Sequence, residues 1–141
     1  MELLVATLCD TASENQGKLN VIGAFDAIIA QSFPAGFSFM LALRFSFTAE
    51  DHGSHPFSIR LVDDSGSPNN EAPNESKMDV NMPPGTAGFS TQNMIMPLQG
   101  TIAKAGNYHF DVHFDERILA RIPLRVIAQS DLQAPAAPAA N

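Results

Sequence analysis

The chain has 141 residues and a mass of 15.1 kDa, the size of one domain, and can bury about two-thirds of the surface its unfolded form exposes. Hydrophobic residues at 45% and charged residues at 16% exclude a disordered chain. Eight Lys and Arg against fifteen Asp and Glu leave a net charge of -7, which argues against nucleic acid or an anionic membrane as partner.

In chain order, Leu3 to Cys9 and Leu19 to Phe25 are apolar on both faces, as in strands that are central or covered on both sides. Asn15-Gln16-Gly17-Lys18 is the turn between them. Thr11-Ala12-Ser13-Glu14 matches a helix capping box, but no apolar run follows, so at most one helical turn is expected. Asp26 to Gln31 fits either a short strand or a helical turn. From Phe37 to Phe47 every odd position is large and apolar, a strand pattern with one face in a core. Period two returns at Phe57, Ile59 and Leu61, then at Met78, Val80 and Met82. It returns again at Tyr108, Phe110, Val112 and Phe114, and at Ile118, Ala120, Ile122, Leu124 and Val126. Residues 63–75 form a long polar loop, and Pro83-Pro84-Gly85 and Ala105-Gly106-Asn107 are turns.

These signals predict an all-β fold, an antiparallel two-sheet β-sandwich of seven to nine strands, immunoglobulin-like or C2-like. The sandwich is expected over residues 1–129, with a low-complexity Ala/Pro tail over 130–141 that buries nothing. The two strands near the C-terminal end should form a hairpin whose register the core pattern selects. A three-residue loop, Asp115-Glu116-Arg117, sets Phe114 against Ile118, Val112 against Ala120 and Phe110 against Ile122. On the other face it sets Asp111 against Arg121. It also asks Arg117 to take a left-handed backbone.

Candidate chemistry is sparse. His109, Asp111 and His113 share one strand face, and imidazole and carboxylate are ligands for zinc or iron. At about 6.8 Å between alternate residues, one flat strand cannot close around a metal alone. His52 and His55, in or beside a loop, are the further imidazoles such a centre would draw on. The competing explanation is a solvated polar face in which Asp111 pairs with Arg121. Asp63, Asp64, Glu71 and Glu75 concentrate acid in one loop, but lack the dense ligand spacing of a calcium loop. They offer a surface to a basic partner. Cys9 is the single cysteine, so no internal disulfide forms, and its neighbour Asp10 disfavours a thiolate. Nucleophile-elbow, P-loop and dinucleotide motifs do not occur.

Several blocks together resemble a family of small uncharacterised bacterial proteins. They are Leu8-Cys9-Asp10, the run from Lys18 to Asp26 followed by Phe33-Pro34, the run from Ala105 to Val112, and the run from Ile122 to Val126. Where members of that family tend to have an Asp-Gly hairpin, this chain has Asp115-Glu116-Arg117. The resemblance extends to about residue 127 and implies a β-sandwich with no established activity.

The expected function is that of a non-enzymatic binding or scaffold module with a protein partner, whether an unrelated protein, a further copy of itself or a larger assembly. No cofactor, metal or catalytic residue is expected. The acid at Glu2 and the break of the apolar run at Asp10 do not match a secretory signal, so a bacterial cytoplasm is the expected compartment. The alternatives are a metal-dependent enzyme using His109, Asp111 and His113, and a structural subunit of a larger assembly.

Overall fold

A computed structural model describes residues 1–69 and 74–132. It contains nine strands: β1 (Glu2–Asn15), β2 (Lys18–Phe25), β3 (Ala27–Ala30), β4 (Ala35–Phe47), β5 (Gly53–Asp63), β6 (Asn74–Val80), β7 (Ser90–Ile102), β8 (Gly106–Phe114) and β9 (Arg117–Ala128). A single 3₁₀ turn, Ala49–Asp51, follows β4, and a one-turn helix, α1 (Gln129–Leu132), follows β9. The strands form two sheets, one of four in the order β2-β1-β4-β7 and one of five in the order β3-β9-β8-β5-β6. This is the two-layer sandwich that period-two patterning predicts.

The inner faces meet in one core. Phe39, Leu41, Leu43, Phe45 and Phe47 of β4 are buried, and so are Phe110, Val112 and Phe114 of β8 and Ile122, Leu124 and Val126 of β9. Aromatic rings bridge the layers: Phe39 meets Phe110 edge-on at 6.0 Å, and Phe45 meets Phe57 edge-on at 6.1 Å. Edge-on contacts place a positive ring rim on a negative ring face, adding to the area buried. Met78, Val80 and Met82 close the core beneath β5 and β6.

The structure departs from the expectations in six places. The segment after Asp26 is a strand, β3, and it pairs with β9 in parallel, so the five-stranded sheet is mixed rather than antiparallel. Thr11 to Glu14 continue β1 and make no turn, because β2 supplies their backbone partners from Ile22 back to Leu19. β2 is an edge strand rather than a central one, and its Ile22 is exposed. Residues 90–102 form β7, a strand that the alternation pattern misses. β6 begins at Asn74, inside the stretch expected to be loop.

The sixth departure is the final hairpin. Asp111 does lie opposite Arg121, Phe110 opposite Ile122 and Val112 opposite Ala120. The loop, however, has two residues, and the register shifts between Val112 and His113, so that Phe114 pairs with Arg117 and His113 with Ile118. The extra residue, Leu119, forms a β-bulge. It turns Leu119 toward the core and Ile118 outward, leaving Ile118 41% exposed. The left-handed backbone falls on Asp115, at φ 52°, where a short polar side chain tolerates it, and not on Arg117. Asp115 N–H is fixed by donating to the Pro56 carbonyl over 2.9 Å.

Candidate functional site

The outward face of the five-stranded sheet carries the polar chemistry. β8 lies between β5 and β9, and its odd residues from His109 to His113 point away from the core. Arg60 pairs with Asp111 from one side and Arg121 from the other, giving an Arg-Asp-Arg row across three strands. Ser58 and His113 form the next rung, and Val62, His109 and Pro123 the rung on the other side.

Asp111 is 6% exposed, and its Oδ1 is buried without a hydrogen bond. His109 Nε2 lies 3.3 Å from Oδ1 without forming a hydrogen bond, and Arg121 Nε lies 3.8 Å away, near enough for charge attraction but too far for a hydrogen bond. Burial pushes the His113 imidazole below its usual pKa, and the Arg60 and Arg121 charges push it further, against a smaller opposing pull from Asp111. His113 is therefore neutral at pH 7, with one nitrogen available as an acceptor. Beside this row a cleft of about 450 Å³ opens between β5 and β6, lined by Ser58, Arg60, Glu75, Ser76, Lys77 and His113 among others.

The other histidines lie elsewhere. His52 Nδ1 accepts the Met82 N–H over 3.1 Å. His55 sits at one end of the sandwich, with Nε2 2.6 Å from the Asp51 carbonyl and Nδ1 3.0 Å from the Asp115 carboxylate. Burial alone would lower its pKa, but these two acceptors more than offset that and hold it above the usual value. Among the described residues, no group of three or more His, Cys, Asp or Glu is placed to hold a metal ion. In particular, His109, Asp111 and His113 share a face without converging on a point.

Of the acidic residues, Asp63 is committed to the turn that follows β5. Asp63 Oδ1 accepts the N–H and hydroxyl of Ser65 and the N–H of Ser67, and the Ser65 bonds keep its pKa low despite some burial. Glu71 lies outside the described residues. Cys9 is buried on the other face of the molecule, where burial, and secondarily Asp10, raise its thiol pKa. Its Sγ donates to the Met40 carbonyl over 3.7 Å. It packs as a small apolar side chain.

Arg60 is the site residue that the sequence does not reveal. Asp111 and Arg121 belong to one hairpin, so their pairing follows from local register. Arg60 comes to lie opposite Asp111 only because β5 pairs with β8, a pairing of distant segments that no nearby turn specifies. A family model of unknown function, DUF6941, matches residues 4–127. The chain belongs to the DUF6941 family. The match covers nearly all of both sheets, including the Arg60-Asp111-Arg121 row. Comparison with curated proteins gives no match. No helix among the described residues is long and apolar enough to cross a membrane.

Proposed function

We propose that this chain is a non-enzymatic binding or scaffold module, and that the outward face of its five-stranded sheet is the surface that recognises a protein partner. One observation carries this reading: a buried carboxylate oxygen, Asp111 Oδ1, lacks a hydrogen bond between two arginines. Leaving such a group unpaired costs roughly 1–3 kcal/mol. A partner that supplies a donor there, and a carboxylate to Arg60 and Arg121, recovers that energy on binding. The three strands hold these groups in fixed spacing, and the adjoining cleft accepts a protruding side chain. A single buried thiol suits a reducing compartment such as the bacterial cytoplasm.

The test is affinity capture from the native host with wild-type protein and with Arg60→Glu/Arg121→Glu. A partner retained by wild type and lost by the variant, with both melting at similar temperature, supports the reading. Equal capture by both places recognition on another surface.

A further inference from the structure

Four strands border the two sheets, and three of them are guarded against pairing with another chain. β3 has only four residues. β6 carries Glu75, Lys77 and Asp79 within seven residues. β2 begins at Lys18 and is interrupted by Gly23, whose φ is 70°. Short length, charge and irregular backbone are the usual means of stopping one sheet edge from adding to another. β7 is different. It runs for thirteen residues, and no charged residue occurs from Asn81 to Ala103. β4 pairs with it along its whole length, and no strand among the described residues pairs with its far side.

We propose that β7 is the seam of a homodimer, in which the β7 strands of two copies pair antiparallel about a two-fold axis at Met96. This goes beyond the partner surface proposed above and uses the other sheet. Pro97 fixes which backbone groups are available. Proline has no N–H, so it fits the β4 ladder only with its nitrogen turned away from β4. The odd residues of β7 therefore direct their N–H and C=O groups outward. Asn69 engages one of these from outside, donating Nδ2 to the Thr101 carbonyl over 2.8 Å.

The occupant follows from the residue order. With Met96 on the axis, Met94 faces Leu98 of the second copy and Ile95 faces Pro97. Beyond them Asn93 faces Gln99, and the ladder stops short of Thr101, whose outward carbonyl Asn69 already holds. From Asn93 to Gln99 each pair joins residues of like character, apolar in the middle and amide at both ends, which is the self-complementarity that a two-fold interface requires. Charge argues the same way. Each copy carries -7, so two copies approach backbone to backbone most easily along a strand with no charge. Met94, Ile95 and Met96 are each only partly buried in one copy, and the seam covers them. Pro97 removes one donor from each side, leaving the Ile95 N–H donating to the Pro97 carbonyl near the axis. The pairing uses the unguarded edge, so association stops at two copies.

Two measurements on the full chain test this. Sedimentation across a concentration series should give twice the chain mass at high concentration. Ile95→Glu, a change on the outward face, should raise the dimer dissociation constant at least about tenfold while unfolding remains cooperative. Cysteine cross-linking in a Cys9→Ala background then reads the register. Met96→Cys should oxidise to a disulfide-linked dimer, because residue 96 faces itself at about 4.5 Å between Cα atoms. Met94→Cys alone should not cross-link, but Met94→Cys mixed with Leu98→Cys should. A chain that stays monomeric overturns the proposal, as does a dimer in which Met96→Cys fails to cross-link or Met94→Cys cross-links equally well by itself.

Discussion

β4 and β7 lie side by side, have thirteen residues each and pair residue for residue from Ala35 with Ile102 to Phe47 with Ser90. Yet one is the plainest strand in the sequence and the other is invisible in it. β4 has a strand on either side and a second sheet beneath it. Its inner face must fill a core, so large residues fall at every odd position, and the outer face takes small ones such as Ala42. β7 has a neighbour on one side only. Its inner Met94 and Met96 are half-buried, while its outer Ile95 and Pro97 are apolar as well. Alternation therefore disappears at the middle of the strand. Period two reports how differently the two faces are solvated, not whether the backbone is extended.

The largest effect should come from the core side of that pair. Phe45→Ala should cost about 3–5 kcal/mol in chemical denaturation, since Phe45 is fully buried. Met96→Ala should cost only about 1–2 kcal/mol, because Met96 leaves its surroundings freer to collapse. Equal losses at the two sites would show that β7 is as enclosed as β4.

The opposite border of the same sheet offers a second comparison. Gly23 takes a φ of 70° against Asp10, and a Cβ added there would strike the Asp10 carboxylate. Gly23→Ala should therefore cost about 1–2 kcal/mol from backbone conformation, with displacement of Asp10 added to it. Asp10→Ala should recover the second part and leave the first. This gives a physical reason for glycine in the Gly23-Ala24-Phe25-Asp26 block, whereas β7 accepts Pro97 because the proline nitrogen is turned away from β4.

These contrasts set what was legible. Strand existence, the core residues and the Asp111–Arg121 register follow from alternation on strands with one wet face. The bulge at Leu119 does not, because Ile118-Leu119-Ala120 is apolar throughout and fits either phase. The parallel docking of β3 on β9 and the arrival of Arg60 beside Asp111 depend on pairings between distant segments. For the candidate site, the sequence offered three residues of one strand; the pairing of β5 with β8 set one of them, Asp111, in a row with Arg60 and Arg121.

A smaller effect distinguishes the two histidines that adjoin β8. The fold raises the pKa of His55, so its contribution to stability is complete below about pH 6.5 and disappears as pH rises through the folded value. The fold lowers the pKa of His113, so its contribution is present above about pH 6.5 and is lost as pH falls through the folded value. His55→Gln should then destabilise more at about pH 5 than at about pH 8, and His113→Gln should do the reverse. Denaturant midpoints of both variants at the two values check the signs. The same sign for both would mean that one imidazole has its environment misassigned.

The smallest effect concerns the exposed end of the Arg-Asp-Arg row. Arg121 has a side chain 63% exposed, and its Nε stands 3.8 Å from a carboxylate that is nearly buried. Pairs of this kind are screened by water on one side, so Arg121→Ala should cost only about 0.2–1 kcal/mol. Asp111→Ala acts differently, because it removes a buried charge whose Oδ1 has no hydrogen bond. The attraction to the Arg60 and Arg121 charges is lost, but the cost of keeping that oxygen dry is lost with it. The two nearly cancel, so Asp111→Ala should fall within about 1 kcal/mol of wild type, far below what removing one partner of a well-formed buried ion pair costs. A double-mutant cycle over Asp111→Ala and Arg121→Ala should return a coupling no larger than the single cost of Arg121→Ala. A coupling of several kcal/mol would show that the row is a structural ion pair, and would remove the unpaired oxygen on which a role in recognition rests.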